Sequence, residues 1–181
     1  MGCVMGNSKA KGSGFEREIA RKLTMWLTGQ DKELYWWRSP NSGGVSTVSQ
    51  INTEISGDLV ALKPESIAIN RLFNWELKTG YEGASFDLHL KCNKNEDLRV
   101  FWEQSVRDAK RADKEPVVIF RKKRMPNIWC GISENIFNKF YDKLKENRII
   151  LLTWGKEFSL QPVIFMNFED FLNTITPEDL L

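Results

Sequence analysis

Apolar residues recur at helical spacing early in the chain, at Phe15, Ile19, Leu23, Trp26 and Leu27. With Ser13 as an N-cap and Gly29 as a stop, this period predicts a helix over roughly 14–28. Ahead of it, residues 1–12 are Gly/Ser/Lys-rich without an apolar period, and read as a flexible lead-in. Leu34 to Arg38 is short and aromatic, as a strand is. Ser39 to Ser56 is rich in Ser, Gly, Asn and Thr, longer than a compact connection needs, and is a candidate substrate loop.

Gly57 to Leu62 and Phe73 to Lys78 read as strands joined by a turn-rich stretch around Pro64. Leu98, Phe101, Trp102, Ser105, Ala109 and Ala112 share one helical face and predict a helix over roughly 97–113. The uninterrupted run Val117 to Phe120, after Pro116, is the pattern of a strand buried on both faces. Beyond it the pattern predicts a strand near Ile128 to Gly131, a helix from Glu134 to Lys145 and a strand from Arg148 to Leu152. The tail from Asp170 to Leu181 is acidic and carries no clear period. The order argues one α/β domain over residues 13–181, with a core over 13–124, a C-terminal αβ extension over 125–181, and helices packed on a mixed sheet.

Composition narrows the class. The chain has 181 residues, 41% hydrophobic and 28% charged, which excludes disordered and fibrous proteins. At this size about 70% of the unfolded chain's surface can be buried, so folding needs no disulfide or structural metal. Cys3, Cys92 and Cys130 form no zinc or disulfide spacing, which suits a reducing, cytoplasmic setting. No apolar run approaches the roughly 20 residues of a membrane span, so no membrane association is expected.

The net charge of +2 hides an asymmetry. From Arg107 to Arg124 eight basic residues face three acids, a net of +5, whereas from Glu157 to Leu181 there are five acids and no base. Such a basic stretch either attracts polyanions or is an ordinary solvated helix and loop; charge alone does not choose.

Three carboxylates stand in unusual positions. Glu16 falls about 100° from Phe15 on a helical wheel, inside the apolar sector, where a carboxylate is costly without a cation; its place in the first turn also suits the helix dipole. Asp58 interrupts the apolar pattern at the start of its strand. In the next strand Phe73, Trp75 and Leu77 point one way and Asn74, Glu76 and Lys78 the other, leaving Glu76 and Lys78 about 7 Å apart on one face. If the strands are neighbours, two carboxylates and an ammonium converge in a manner suited to a hard divalent ion. A half-exposed strand with an ordinary Glu and Lys has the same sequence. The single histidine, His89, has no partner pattern; of Trp36 and Trp37 at most one can offer a free ring for base stacking, and Tyr81, just past Lys78, is a better candidate that also reads as a plain loop anchor.

Gly57-Asp58, the apolar strand after it, and Trp75-Glu76-Leu77-Lys78 resemble the signature of the PD-(D/E)xK nuclease superfamily, with Gly in place of the usual Pro. Lys11 to Glu18, followed by Arg38-Ser39 and a Ser/Gly-rich loop, is similar to the start of archaeal-type Holliday-junction resolvases. The resemblance covers about Lys11 to Lys122. It implies a restriction-endonuclease-like α-β-β-β-α-β core, Mg²⁺-dependent phosphodiester hydrolysis with Mn²⁺ able to substitute, and a homodimer acting on DNA four-way junctions. It implies Asp58 and Glu76 as metal ligands with Glu16 beside them, Lys78 as the catalytic lysine, and Ser39 or Ser42 as the loop serine. Gln104 resembles a glutamine found on the following helix in several branches; it falls on the polar side of that helix with Arg107 and Arg111, a face that either meets DNA, as Ser39 and Ser42 are expected to, or is simply solvated. Arg38, Arg107, Arg111, Arg121, Lys122 and Lys123 are the candidates for DNA phosphates. A nicking or restriction-type nuclease on duplex DNA, or a DNA-binding module of this fold that cuts nothing, shares the same signature.

Overall fold

The computed structural model describes residues 8–39, 56–87, 96–154 and 160–181. Helix α1 (Ser8–Thr28) begins earlier than its apolar period predicts, so Ser13 lies inside it rather than at its cap. It ends where expected: Gly29, at φ 68°, turns the chain and donates its N–H to the Met25 carbonyl at 2.7 Å. Strands β1 (Trp36–Arg38) and β2 (Leu59–Ala61) form a two-stranded antiparallel ribbon with Trp37 opposite Val60.

The stretch around Pro64, expected to be a turn, is helix α2 (Pro64–Leu72). Proline in a first turn starts a helix instead of breaking it, and the Ser66 hydroxyl accepts the Lys63 N–H at 3.1 Å. Strand β3 (Phe73–Thr79) follows without a break, then α3 (Asp97–Ala112) and β4 (Glu115–Arg121). Asp113, in left-handed conformation, caps α3 and returns the chain parallel to β3, with Glu76 opposite Val118 and Lys78 opposite Phe120.

The C-terminal third widens this sheet. Strand β5 (Ile128–Ser133) runs antiparallel to β4. The helix expected over 134–145 is two, α4 (Glu134–Lys139) and α5 (Tyr141–Leu144), broken at Phe140 where φ and ψ are −113° and 23°. Strand β6 (Ile150–Leu152) is followed by a strand that the sequence reading did not predict, β7 (Val163–Asn167), and by α6 (Phe168–Thr174) with Asn167 as its side-chain cap. Strand order is β3-β4-β5-β7-β6, a five-stranded mixed sheet flanked by helices, the restriction-endonuclease-like fold expected.

Both faces of the sheet are covered. On one, Phe15, Ile19 and Leu23 of α1 join Trp75, Val117 and Ile119; on the other, Leu98, Phe101 and Trp102 of α3 join Val118, Phe120 and Phe165. The apolar run in β4 is thus buried on both sides, as its lack of alternation predicts. Strand β3 lies at the sheet's edge with α1 on one face and α3 on the other, and that edge positions the chemistry. No helix among the described residues is long and apolar enough to cross a membrane.

Candidate active site at the edge of strand β3

Gly57 makes the site possible. Its φ is 85°, and a Cβ there would stand 2.7 Å from the Trp75 carbonyl oxygen, nearer than real contacts allow. Proline, fixed near −65°, cannot take this conformation, so glycine here is not a neutral exchange for the signature's proline. The close approach lets the Asp58 N–H donate to the Trp75 carbonyl at 2.8 Å, while Asp58 Oδ2 accepts the Leu77 N–H, also at 2.8 Å. Asp58 is therefore hydrogen-bonded to β3 on either side of Glu76.

Glu76, 3% exposed, faces α3 together with Lys78. The Lys78 ammonium lies 2.5 Å from Glu76 Oε1 and donates to Gln104 Oε1 of α3 at 3.0 Å. Burial, reinforced by the Asp58 charge, pushes the Glu76 carboxyl up to about 7 against the opposing pull of Lys78. Asp58 is raised for the same leading reason, burial, partly offset by the Leu77 N–H and Lys78. Burial presses Lys78 toward its neutral form, but Glu76 and Asp58 together hold its pKa above the ordinary value.

Glu16 reaches the same region from α1. Burial and then Asp58 raise its pKa, while Arg38 and Arg17 oppose the shift. Its Oε2 is buried with no hydrogen-bond partner. Because α1 starts at Ser8, Glu16 is not in its first turn; its side chain is half-buried with one oxygen out of water, and the cations acting on it are Arg38 and Arg17.

One acidic neighbour escaped the sequence reading. Asp108, one turn beyond Gln104 on α3, contributes to raising both Asp58 and Glu76. Its Oδ1 is 3.3 Å from both Arg107 Nε and Arg111 Nη1. The i, i+4 spacing from Gln104 was the available signal; on charge alone Asp108 reads as part of a solvated face.

The remaining predicted residues divide. Arg107 and Arg111 are exposed beside Asp108, and Arg38 is half-buried next to Glu16. Ser39 is buried, its N–H donating to the Asp58 carbonyl at 2.8 Å, so it fastens β1 to Asp58. Arg121 lies on α1 instead, paired with Glu18 at 2.9 Å and stacked 4.8 Å over Phe15. Lys123 pairs with Glu82 at 2.5 Å, and Lys122 is half-exposed. Ser42 and His89 lie outside the described residues.

Among the described residues, no three Asp, Glu, His or Cys side chains close on one point as a ready metal cage. The geometry says why. Glu16 approaches from the α1 side and Glu76 from the α3 side, with Asp58 at the edge between them, and one Glu76 oxygen is occupied by Lys78. What remains is an Asp58–Glu76 pair of hard oxygen donors, mutually repelling, with a third buried carboxylate oxygen unsatisfied. This donor set fits a hard divalent ion, which takes oxygen ligands from carboxylates and water.

The chain matches the family model described as "Phage putative PDDEXK endonuclease" over residues 7–181. It belongs to this PD-(D/E)xK endonuclease family. Family membership points to a nuclease, a nuclease family implies DNA as substrate, and PD-(D/E)xK nucleases generally use divalent metals. The match extends through β5, β7 and α6, so the C-terminal part, beyond the reach of the motif resemblance, belongs to the same PD-(D/E)xK chain. No curated protein and no solved structure matches it.

Proposed function

We propose that the chain is a Mg²⁺-dependent, structure-selective DNA endonuclease of the junction-resolving kind, with Mn²⁺ as an effective substitute. The observation that carries the reading is the Asp58–Glu76–Lys78 constellation: two buried carboxyls, both with raised pKa, beside an ammonium 2.5 Å from one of them. Like charges gathered out of water are unfavourable unless a cation joins them.

Asp58 and Glu76 would hold the ion, with Glu16 at its outer side. When bound, a divalent ion offsets charge on the scissile phosphate and acidifies a water near neutral pH. Lys78 remains protonated, and its ammonium neutralises a phosphate oxygen or orients the attacking water. Gln104 positions Lys78, because its Oε1 accepts from the ammonium at 3.0 Å. Arg107 and Arg111, exposed on α3, hold backbone phosphates without reading bases.

The resemblance of Lys11 to Glu18 and of Arg38-Ser39 to junction resolvases supports a branched substrate. A symmetric dimer would offer two such sites to two strands. The test is to incubate the chain with Mg²⁺ and either a four-way junction or a linear duplex of matching sequence. Paired, symmetric cuts in the junction are expected. Cuts in the linear duplex alone would mark a duplex-nicking enzyme, and binding without cuts in either would mark a non-cleaving module; each contradicts the proposal.

A further inference from the structure

We infer that the exposed ring of Trp37, with the Arg17 guanidinium beside it, is a stacking platform for one unpaired DNA base next to the cleavage site. This rests on the nuclease reading above and narrows its substrate to DNA with an unstacked nucleotide.

Three observations meet there. First, the two tryptophans of β1 are used differently: Trp36 is fully buried in the core, whereas Trp37 is 39% exposed on the outer face of the two-stranded ribbon. An indole left partly in water in the middle of a three-residue strand is not needed for the core, where Trp36 is already fully buried. Second, the Arg17 guanidinium lies over the Trp37 ring, 5.9 Å from its centroid, a cation–π contact at the outer limit of distance that a stacking base would replace on that face. Third, the ribbon carrying Trp37 is tied to the site: Trp37 stands opposite Val60, two residues past Asp58, and the N–H of Ser39, two residues past Trp37, donates to the Asp58 carbonyl at 2.8 Å.

The chemistry selects the ligand. A flat π surface beside a guanidinium suits a group that is aromatic on one side and anionic on the other, and a nucleotide is both. In an intact duplex each base has both faces covered by its neighbours. A free face exists only where a nucleotide is unpaired or the stack is interrupted, as at a branch. Stacking on Trp37 would hold that base while Arg17 turns to its phosphate. Tyr81, the exposed ring nearest Lys78 in sequence, is already packed edge-on against Phe101 at 4.8 Å.

The test uses the full chain in chelator, where no cutting occurs, with two DNAs: a linear duplex and the same duplex carrying one unpaired 2-aminopurine. Quenching of the 2-aminopurine on binding is expected for the wild-type chain. Trp37→Ala should lose about tenfold in affinity for the bulged DNA and less than about twofold for the duplex, with Trp37→Phe retaining most of the preference. Binding without quenching, or equal losses on both DNAs, would overturn the inference. The quenching arm needs no variant, so a misfolded Trp37→Ala leaves the result decisive. Failure of the wild-type chain to bind either DNA would overturn this inference and the nuclease reading together, whereas quenching without Mg²⁺-dependent cutting would strike only the latter.

Discussion

Asp58 accepts the backbone N–H of Leu77 at 2.8 Å, the residue standing between Glu76 and Lys78. A carboxylate from one segment is thereby indexed to the acid and the amine of another by a main-chain hydrogen bond, and the register does not depend on any side chain of β3. What permits the approach is Gly57.

Replacing Gly57 should therefore damage the site through the backbone. Gly57→Ala sets a Cβ 2.7 Å from the Trp75 carbonyl oxygen at a φ of 85°, and should cost about 1–3 kcal/mol of stability. Gly57→Pro, which restores the superfamily's usual residue, should be at least as harmful, because its φ is incompatible. Urea unfolding of both variants checks this; wild-type stability in the proline variant would mean that the loop can adopt the other conformation freely.

Metal-free stability should fall with rising pH. Glu76 is pushed from its ordinary 4.5 up to about 7, so between those values the folded chain holds more protons than the unfolded one. Stability is then greatest below about 4.5 as far as this group is concerned and is lost as the pH rises through about 7; Asp58 and Glu16, also raised, act in the same direction. Chemical denaturation in chelator across this window should show the decline, and Glu76→Gln should flatten it. A divalent ion, which needs ionised carboxylates, should restore more stability at the upper end.

Local periodicity made much of this architecture readable. The stripe of α3 and the unbroken run of β4 report burial, whereas the alternation in Phe73 to Lys78 reports only which face each residue takes, since Asn74 and Glu76 are buried as well. Helix α2 escaped because Pro64 serves equally as breaker and first-turn residue. Strand β7 escaped because its partners are remote: it inserts between β5 and β6, against chain order. Within the site, Asp58, Glu76 and Lys78 stand out as charges in apolar strands, and the structure brings them together. Asp108 does not stand out, since only the packing of α3 on β3 brings its charge to theirs. Arg121 shows the reverse: in sequence it belongs to the basic stretch, yet its guanidinium is held by Glu18 and Phe15.

Gln104 should matter for rate rather than stability. Removing its acceptor frees the Lys78 ammonium to swing toward Glu76 alone. Misplacing a reacting group by about 1 Å costs on the order of a hundredfold in rate, so Gln104→Ala should lower kcat by roughly ten- to a hundredfold. Its unfolding midpoint and DNA affinity should be unchanged. Single-turnover kinetics alongside binding titrations separate the two effects, and a purely affinity-based loss would remove Gln104 from the positioning of Lys78.

The basic residues should sort into two groups. Neutralising Arg107 and Arg111 together should weaken binding across DNA sequences and reduce the log–log salt slope by about two. Arg121→Ala should instead lower stability by about 1 kcal/mol, through loss of a half-buried ion pair and its contact with Phe15, and leave the slope nearly intact. Salt titrations of both variants, read with their thermal midpoints, decide between the roles.

The most direct measurement is Mg²⁺-dependent cleavage of a four-way junction by the wild-type chain, Asp58→Asn and Glu76→Gln, with affinity measured on the same samples. Each variant should lose cleavage by at least about 10³-fold, the several kcal/mol that a bound metal contributes, while binding DNA as tightly or more tightly, because a negative charge beside the phosphates is gone. Wild-type cleavage by both variants would contradict the assignment of Asp58 and Glu76 to the reaction.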